Sequence, residues 1–314
     1  MREVTPTGLG MPAPVCLASE SGRFELGDIV AHQKRYEIVA LIGEGGMGRV
    51  YRAYDPVLER DVALKIMKPE MPVFERERFR REALYGARFC HPGVVRVFEL
   101  VEEADDHCWF AMEYLPGKDM EGVLERAERR DKAIPLRLIG DVFRQTLGAL
   151  QYAHDCGIVH RDVKPANLFV TRDPNTGFVT TKLLDFGVAL DQRRPSQERR
   201  LVGDPRYMAP EQTRSGIALD HRADIYAAGL SLYHILTGRQ PFADLVGEDH
   251  RTWMAAQREH RPEPLSDHLP EGIPTAVARG LSEVFEKATE KEPGDRFQSA
   301  LEMARALYDV LQVP

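Results

Sequence analysis

The chain has 314 residues, enough for one large domain or two ordinary ones, and its 43% hydrophobic and 29% charged residues are those of a folded globular protein. A formal charge of −7, from 42 basic and 49 acidic side chains, argues against a general nucleic-acid binder. The four cysteines form no Cys-x-x-Cys pair, no apolar run approaches the ~18 residues of a membrane span, and the N-terminus lacks a secretory pattern, so a reducing cytoplasmic setting without zinc, disulfide or membrane segment is expected.

Residues 1–34 are rich in Gly, Pro, Ser and Thr without apolar periodicity and read as a flexible extension. Order begins with a strand over 36–42, followed by Gly43-Glu-Gly-Gly-Met-Gly48 and a second strand over 50–54. Asp55-Pro56 marks a turn, and Val62-Ala-Leu-Lys-Ile-Met67 is a third strand. The spacing over 73–89 predicts a helix, with Phe79, Ala83, Gly86 and Ala87 on one face and Glu82 beside it. Strands over 94–101 and 108–114 follow, and Pro116-Gly117 breaks the pattern. Beyond it helices dominate. The stretch 139–154 is amphipathic, and 225–236 is apolar nearly all round and stops at Gly238, which predicts a buried central helix. Weaker helices cover 249–259, 274–290 and 298–311. The fold class is α+β: a sheet-rich half over about 35–114, a hinge near 113–117, and a larger helical half over about 117–312. Clefts between such halves are common ligand sites.

The densest polar stretch is His160-Arg161-Asp162-Val163-Lys164-Pro165-Ala166-Asn167. Pro165 forbids a continuous helix there. Asp162 can accept a proton, Lys164 can neutralise a phosphate and Asn167 can ligate a hard metal ion. Taken alone, the same stretch also reads as a solvated loop with local charge pairs. The glycine stretch fits Gly43-x-Gly45-x-x-Gly48-x-Val50, and glycines let backbone N–H groups approach phosphates. A P-loop would need Lys-Ser/Thr after Gly48, where Arg49-Val50 stands, and a dinucleotide fold would need a helix there rather than a strand. A strand-turn-strand flap over nucleotide phosphates remains.

Ala63 and Lys65 face one side of the third strand, and a lysine on an apolar surface needs an anionic partner, for which Glu82 is the candidate. Leu184-Asp185-Phe186-Gly187 ends a hydrophobic strand, and the turn signal at 173–177 makes a hairpin that returns Asp185 toward Asn167. An Asp and an Asn facing one point suit Mg²⁺.

In this order the glycine loop, Val-Ala-Leu-Lys, the helix glutamate, His-Arg-Asp-x-Lys-Pro-x-Asn, Asp-Phe-Gly and Ala209-Pro210-Glu211 resemble a eukaryotic-type (Hanks-type) protein kinase. Lys164 resembles the serine/threonine class, and the Gly-Glu-Gly-Gly-Met-Gly and Tyr207-Met-Ala-Pro-Glu-Gln212 runs resemble bacterial members. The resemblance covers residues 35–312 and implies a bilobal protein-kinase-like fold that phosphorylates protein Ser/Thr hydroxyls with ATP and Mg²⁺, Mn²⁺ being a substitute. It implies that Lys65 binds phosphates and pairs with Glu82, that Asp162 orients or deprotonates the substrate hydroxyl, and that Lys164 neutralises the transferred group. Asn167 and Asp185 would hold the metal. Gly43, Gly45 and Gly48 would cover the phosphates. Val50, Ala63 and Phe169 would sandwich the adenine, with Glu113 and Leu115 offering it backbone hydrogen bonds beside Met112. Asp224 would brace the catalytic loop and Glu211 would pair with Arg296. Members of the family also pair as homodimers.

One departure stands out. Where the family reads Gly-Thr-x-x-Tyr before Ala-Pro-Glu, this chain reads Gly203-Asp204-Pro205-Arg206-Tyr207. An aspartate there can still accept from Lys164, but it brings a second carboxylate near Asp162. Two carboxylates in close quarters would raise a pKa and oppose each other, weakening catalysis but not ATP binding. This leaves open a pseudokinase, or ATP-binding scaffold, as the alternative to an active enzyme. The same segment holds five arginines and, besides Tyr207, a single hydroxyl, Ser196. It reads either as an autophosphorylation site with Arg161 or nearby arginines as its partner, or as a solvated basic loop with a constitutively usable conformation.

Overall fold

In a computed structural model the chain is described over residues 29–30, 35–102, 108–173, 176–193, 201–214, 216–245 and 247–312. These fall into two compact units, one reaching to Arg76 and including Phe98–Tyr114, the other formed by Glu77–Val97 and everything from Leu115 onward.

The first unit is built on a six-stranded sheet. Its strands are β1 (Ile29–Val30), β2 (Tyr36–Glu44), β3 (Gly48–Asp55), β4 (Arg60–Met67), β5 (Val97–Glu102) and β6 (Cys108–Glu113), in the order β1-β2-β3-β4-β6-β5. The sheet reaches into the stretch read as an extension, because Ile29 and Val30 pair antiparallel with Glu37 and Tyr36. Period-2 alternation decides which side chains are inside. Tyr36, Ile38, Tyr51, Ala53, Val62, Leu64, Trp109 and Ala111 make one cluster on one face. The turn after β3 is held by Asp55, fully buried, whose carboxylate accepts from the Val57 and Leu58 N–H groups (3.1 and 3.2 Å) and from Arg35 Nη2 (2.8 Å).

The strand expected over 94–101 starts later, at Val97, and Val94 instead forms an isolated parallel bridge to Leu183 in the second unit. Helix α1 (Val73–Arg88) lies mostly in that second unit rather than with the sheet-rich half. The reason is its inner face: Phe79, Ala83, Tyr85 and Gly86 are buried, while Ala87 is exposed. Tyr85 and Phe89 pack on Phe186, with ring centroids 6.5 and 5.0 Å apart.

The second unit continues with strand β7 (Gly117–Asp119) and helices α2 (Met120–Glu128) and α3 (Leu136–Asp155). The short strands β8 (Ile158–Val159), β9 (Leu168–Arg172), β10 (Val179–Leu183) and β11 (Leu190–Asp191) follow. Helices α4 (Arg222–Thr237), α5 (His250–Glu259), α6 (Thr275–Ala288) and α7 (Ala300–Leu311) complete it. Its core runs from Tyr85 to Leu307 around α3, α4 and α6. Every residue of α4 from Ala223 to Leu236 is buried, as its all-round apolarity predicts, and Gly238 ends it in a left-handed cap at φ 71°. Helix α2 has no counterpart in the sequence reading. Asp119 caps it by accepting from Gly122 N at 2.7 Å, and it buries Met120 and Leu124, a spacing of four that is too short a signal on its own.

Candidate active site

In the sheet unit, register alone sorts the residues. Val50 stands opposite Lys65, which stands opposite Phe110, and Ala63 stands opposite Met112. Directly paired residues point to the same face. Val50, Ala63, Lys65 and Met112 therefore share the face opposite the Tyr51–Leu64–Trp109 cluster, with Lys65 Nζ 5.9 Å from the Phe110 ring centroid. Glu113 ends the same strand, paired with Val62.

The glycine stretch is the predicted strand-turn-strand. Gly43 pairs with Val50 and Glu44 with Arg49, and Gly45 N donates to Gly48 O at 2.9 Å. Glu44 also meets Lys68 Nζ at 3.0 Å, and Lys68 N donates to Met47 O at 3.0 Å, which ties the turn to the end of β4. Packing does not demand the glycines at 45 and 46. Neither has a positive φ, and a Cβ at either would meet nothing within 4 Å. What glycine leaves open there is approach to the backbone from outside the chain, which fits a phosphate-bearing ligand.

In the helical unit, the 160–167 stretch is a clamped loop rather than a solvated one. His160 is fully buried; its N–H and that of Arg161 donate to the two oxygens of Asp224, each at 2.8 Å. His154 Nε2 reaches the same carboxylate at 2.7 Å. Burial would raise the Asp224 carboxyl, but hydrogen bonding and charge from His154, then His160, hold it below its ordinary value. His160 Nδ1 accepts from Asp162 N (3.3 Å) and Nε2 donates to Leu184 O (2.8 Å), while its ring meets Phe186 edge-on at 4.7 Å. Arg161 takes φ 67° and Asp185 φ 58°, left-handed values that non-glycine residues adopt at a cost of about 1–3 kcal/mol when the surroundings over-determine them.

The Asp162 carboxylate is held from three sides. Its Oδ1 accepts from Asp204 N at 3.0 Å, and its Oδ2 from Asn167 Nδ2 at 3.1 Å and Lys164 Nζ at 2.9 Å. Asn167 Nδ2 also donates to the Asp162 carbonyl at 2.7 Å. Its nitrogen is thus committed inward, and Oδ1 remains as the atom an oxygen-seeking cation would meet. β9 and β10 pair antiparallel with Leu168 opposite Leu183, and Leu184 N donates to Asn167 O at 2.9 Å, so the hairpin brings Asp185 back beside Asn167. Among the described residues no group of three or more His, Cys, Asp or Glu is placed to hold a metal. Two protein oxygens suit Mg²⁺, which keeps ligand positions for phosphate and water. Phe169 lies on β9 between Asp119 and Lys182, and Leu115 leads into β7. Glu82 lies on α1 in the helical unit, half-buried.

The expectation that Asp204 opposes Asp162 as a second carboxylate is corrected. Asp204 offers Asp162 its N–H, while its own carboxylate turns to Arg206, accepting from Nε at 2.9 Å, Nη2 at 2.6 Å and the backbone N at 3.1 Å. Burial would raise this carboxyl, but Arg206 and then Lys164 hold it below its ordinary value, the reverse of the expected direction. Burial would lower the Lys164 ammonium, yet Asp162, then Asp204 and Asp185, hold it above its usual value. The turn also needs Gly203, at φ 112°, where a Cβ would come within 2.7 Å of the Arg161 carbonyl. The sequence reading missed the Arg206 grip; the Asp-x-Arg spacing was its only signal. Ser196, Arg194, Arg199 and Arg200 lie outside the described residues.

The Glu211–Arg296 pair forms as expected: both guanidinium nitrogens meet both carboxylate oxygens, at 2.7 and 2.8 Å, with Arg296 fully buried. It braces the segment after Gly203.

A loop that pins an aspartate between a lysine and an asparagine, joined through a hairpin to Asp-Phe-Gly, is the arrangement that characterises the protein kinase fold. The chain belongs to the protein kinase domain family, which it matches over residues 36–307. It is 38% identical over 282 residues to a probable serine/threonine-protein kinase of Corynebacterium efficiens, covering 87% of this chain and 41% of that protein. Against the serine/threonine-protein kinase PknF of Mycobacterium tuberculosis the figures are 35% over 280 residues, 87% and 55%. The chain therefore spans about half or less of the length of these relatives. The crystal structure of the M. tuberculosis PknI kinase domain matches with a TM-score of 0.68 at 31% identity, over 93% of this chain and all of that one. The fold class is that of a protein kinase, and the family uses ATP and a divalent metal on protein substrates. Among the described residues no helix is long and apolar enough to cross a membrane.

Proposed function

We propose that this chain transfers the γ-phosphate of ATP to serine and threonine hydroxyls of proteins, in bacterial signalling. The observation that carries this reading is the three-sided hold on Asp162, which leaves a charged acceptor fixed beside an ammonium group. Asp162 orients the acceptor hydroxyl and takes its proton, and Lys164 neutralises the charge on the moving phosphoryl group. Asn167 and Asp185 supply the oxygens for Mg²⁺, or Mn²⁺ in its place; the ion offsets phosphate charge. In the sheet unit, Lys65 holds the α- and β-phosphates under Gly43, Gly45 and Gly48. Val50, Ala63, Met112, Glu113, Leu115 and Phe169 receive the adenine, and Glu82 supports Lys65 in its role. Residues 35–312 are the catalytic domain. Autophosphorylation at Ser196, homodimerisation, a cytoplasmic setting and the absence of nucleic acid as partner belong to the same reading.

The test is transfer of labelled phosphate to the protein itself and to histone, beside Asp162→Asn. Transfer at least about 100-fold above that variant is expected, since a positioned base contributes roughly 10²–10⁴. Wild-type signal no higher than Asp162→Asn, with ATP still bound, would show a nucleotide-binding scaffold instead.

A further inference from the structure

We infer that Arg206 is a positioning residue for phosphoryl transfer, needed because position 204 is an aspartate: its guanidinium grips the Asp204 carboxylate and so leaves Lys164 with Asp162. The inference rests on the reading of Asp162 as the hydroxyl acceptor. Lys164 stands between two carboxylates, with Nζ 2.9 Å from Asp162 and 3.8 Å from Asp204. The backbone already fastens Asp204 to Asp162, so its side chain, 13% exposed, cannot leave the site. Its charge must be neutralised where it is. Arg206 does this with the forked geometry that a guanidinium offers a carboxylate, the strongest arrangement available to such a pair.

Arg206 is itself held. Gln257 Nε2 donates to the carbonyls of Pro205 (3.1 Å) and Arg206 (2.9 Å), and Tyr207 N and Met208 N donate to the Asp204 carbonyl at 2.9 and 3.1 Å. The guanidinium lies over the Tyr207 ring, 5.6 Å from its centroid. Glu121 on α2 also feels its charge: burial raises that carboxyl and Arg206 opposes the rise. Without Arg206, the Asp204 carboxylate keeps Lys164 as its remaining cation and draws it from Asp162. A neutral hydroxyl at 204 would make no such claim, so the need for Arg206 should vanish with the aspartate.

The experiment measures kcat and KM for ATP with histone as acceptor for wild type, Arg206→Ala, Arg206→Lys, Asp204→Thr and Asp204→Thr/Arg206→Ala. Loss of Arg206 alone is expected to lower kcat about 10- to 100-fold with KM for ATP within about 3-fold, and Arg206→Lys to recover part of it. Asp204→Thr should stay within about 5-fold of wild type, and adding Arg206→Ala to it should cost less than about 3-fold. An equal cost of Arg206→Ala in both backgrounds would overturn the inference and make Arg206 an acceptor-contact or packing residue. So would Arg206→Ala at wild-type kcat. If Arg206→Ala does not fold, the comparison of Arg206→Lys with Asp204→Thr/Arg206→Lys decides on the same criterion. Wild-type transfer above Asp162→Asn separates failure of this inference from failure of the kinase reading.

Discussion

Replacing Asp224 with asparagine exchanges one carboxylate oxygen for an amide nitrogen and removes one acceptor from a fully buried site. The carboxylate accepts three hydrogen bonds, from His160 N, Arg161 N and His154 Nε2, at 2.7–2.8 Å. The Asn carbonyl can take the place of Oδ2 and keep two of them. Its amide then faces the Arg161 N–H, donor against donor. One buried N–H left unsatisfied costs about 1–3 kcal/mol, and the two surviving bonds lose charge assistance worth roughly 0.5–1 kcal/mol each. Asp224→Asn should therefore cost about 3 kcal/mol, a large part of the roughly 5–15 kcal/mol that holds a domain together. Arg161 keeps its left-handed φ through this clamp, so kcat should fall as well, even at temperatures where the variant is folded. The sign with pH follows from the depressed folded pKa. The contribution is present above the unfolded carboxyl pKa and is lost as pH falls through the folded value. Urea unfolding followed by circular dichroism gives the stability change. A loss under about 1 kcal/mol would refute the argument that Asp224 is the clamp.

Three further outcomes are expected. Arg296→Met strands the buried Glu211 carboxylate and should cost about 3–5 kcal/mol in urea unfolding; adding Glu211→Gln should restore part of it, and no restoration would mean that the Arg296 bonds to the Glu290, Arg222 and Lys291 carbonyls dominate. His234 is buried beside the Tyr207 hydroxyl at 2.7 Å, and burial, then Arg206, pulls its pKa to about 4. The unfolded chain binds that proton first, so stability should fall as pH drops from about 6.5 toward 4, by about 2 kcal/mol at pH 5, and the fall should shrink in His234→Asn. Gly45→Ala and Gly46→Ala should leave the melting temperature within about 1 °C, since the added Cβ meets nothing, while raising KM for ATP several-fold; a large loss of stability would show that the fold itself needs these glycines.

The legible parts of this molecule are those in which a short segment states its own requirement. Gly43–Gly48 between two alternating strands, Pro165 within a polar loop and the all-round apolar 225–236 each dictate local backbone from neighbouring residues alone. Their order along the chain then points to one chemistry. The inner face of α1 was only partly legible, because the period set by Phe79, Ala83 and Gly86 favours Ala87, and the aromatic packing of Tyr85 on Phe186 overrides it. Helix α2 was invisible, since nine residues with two apolar anchors carry too weak a period.

Sequence by itself determined the family, the α+β class and the side chains proposed for phosphoryl transfer, because these depend on residue type and spacing. Tertiary structure decided the charge balance around Asp162. In sequence Asp204 is a carboxylate too many; in the fold it is an N–H donor to Asp162 whose own charge goes to Arg206. The direction in which a side chain turns depends on partners brought together by the whole fold, and no local pattern encodes it.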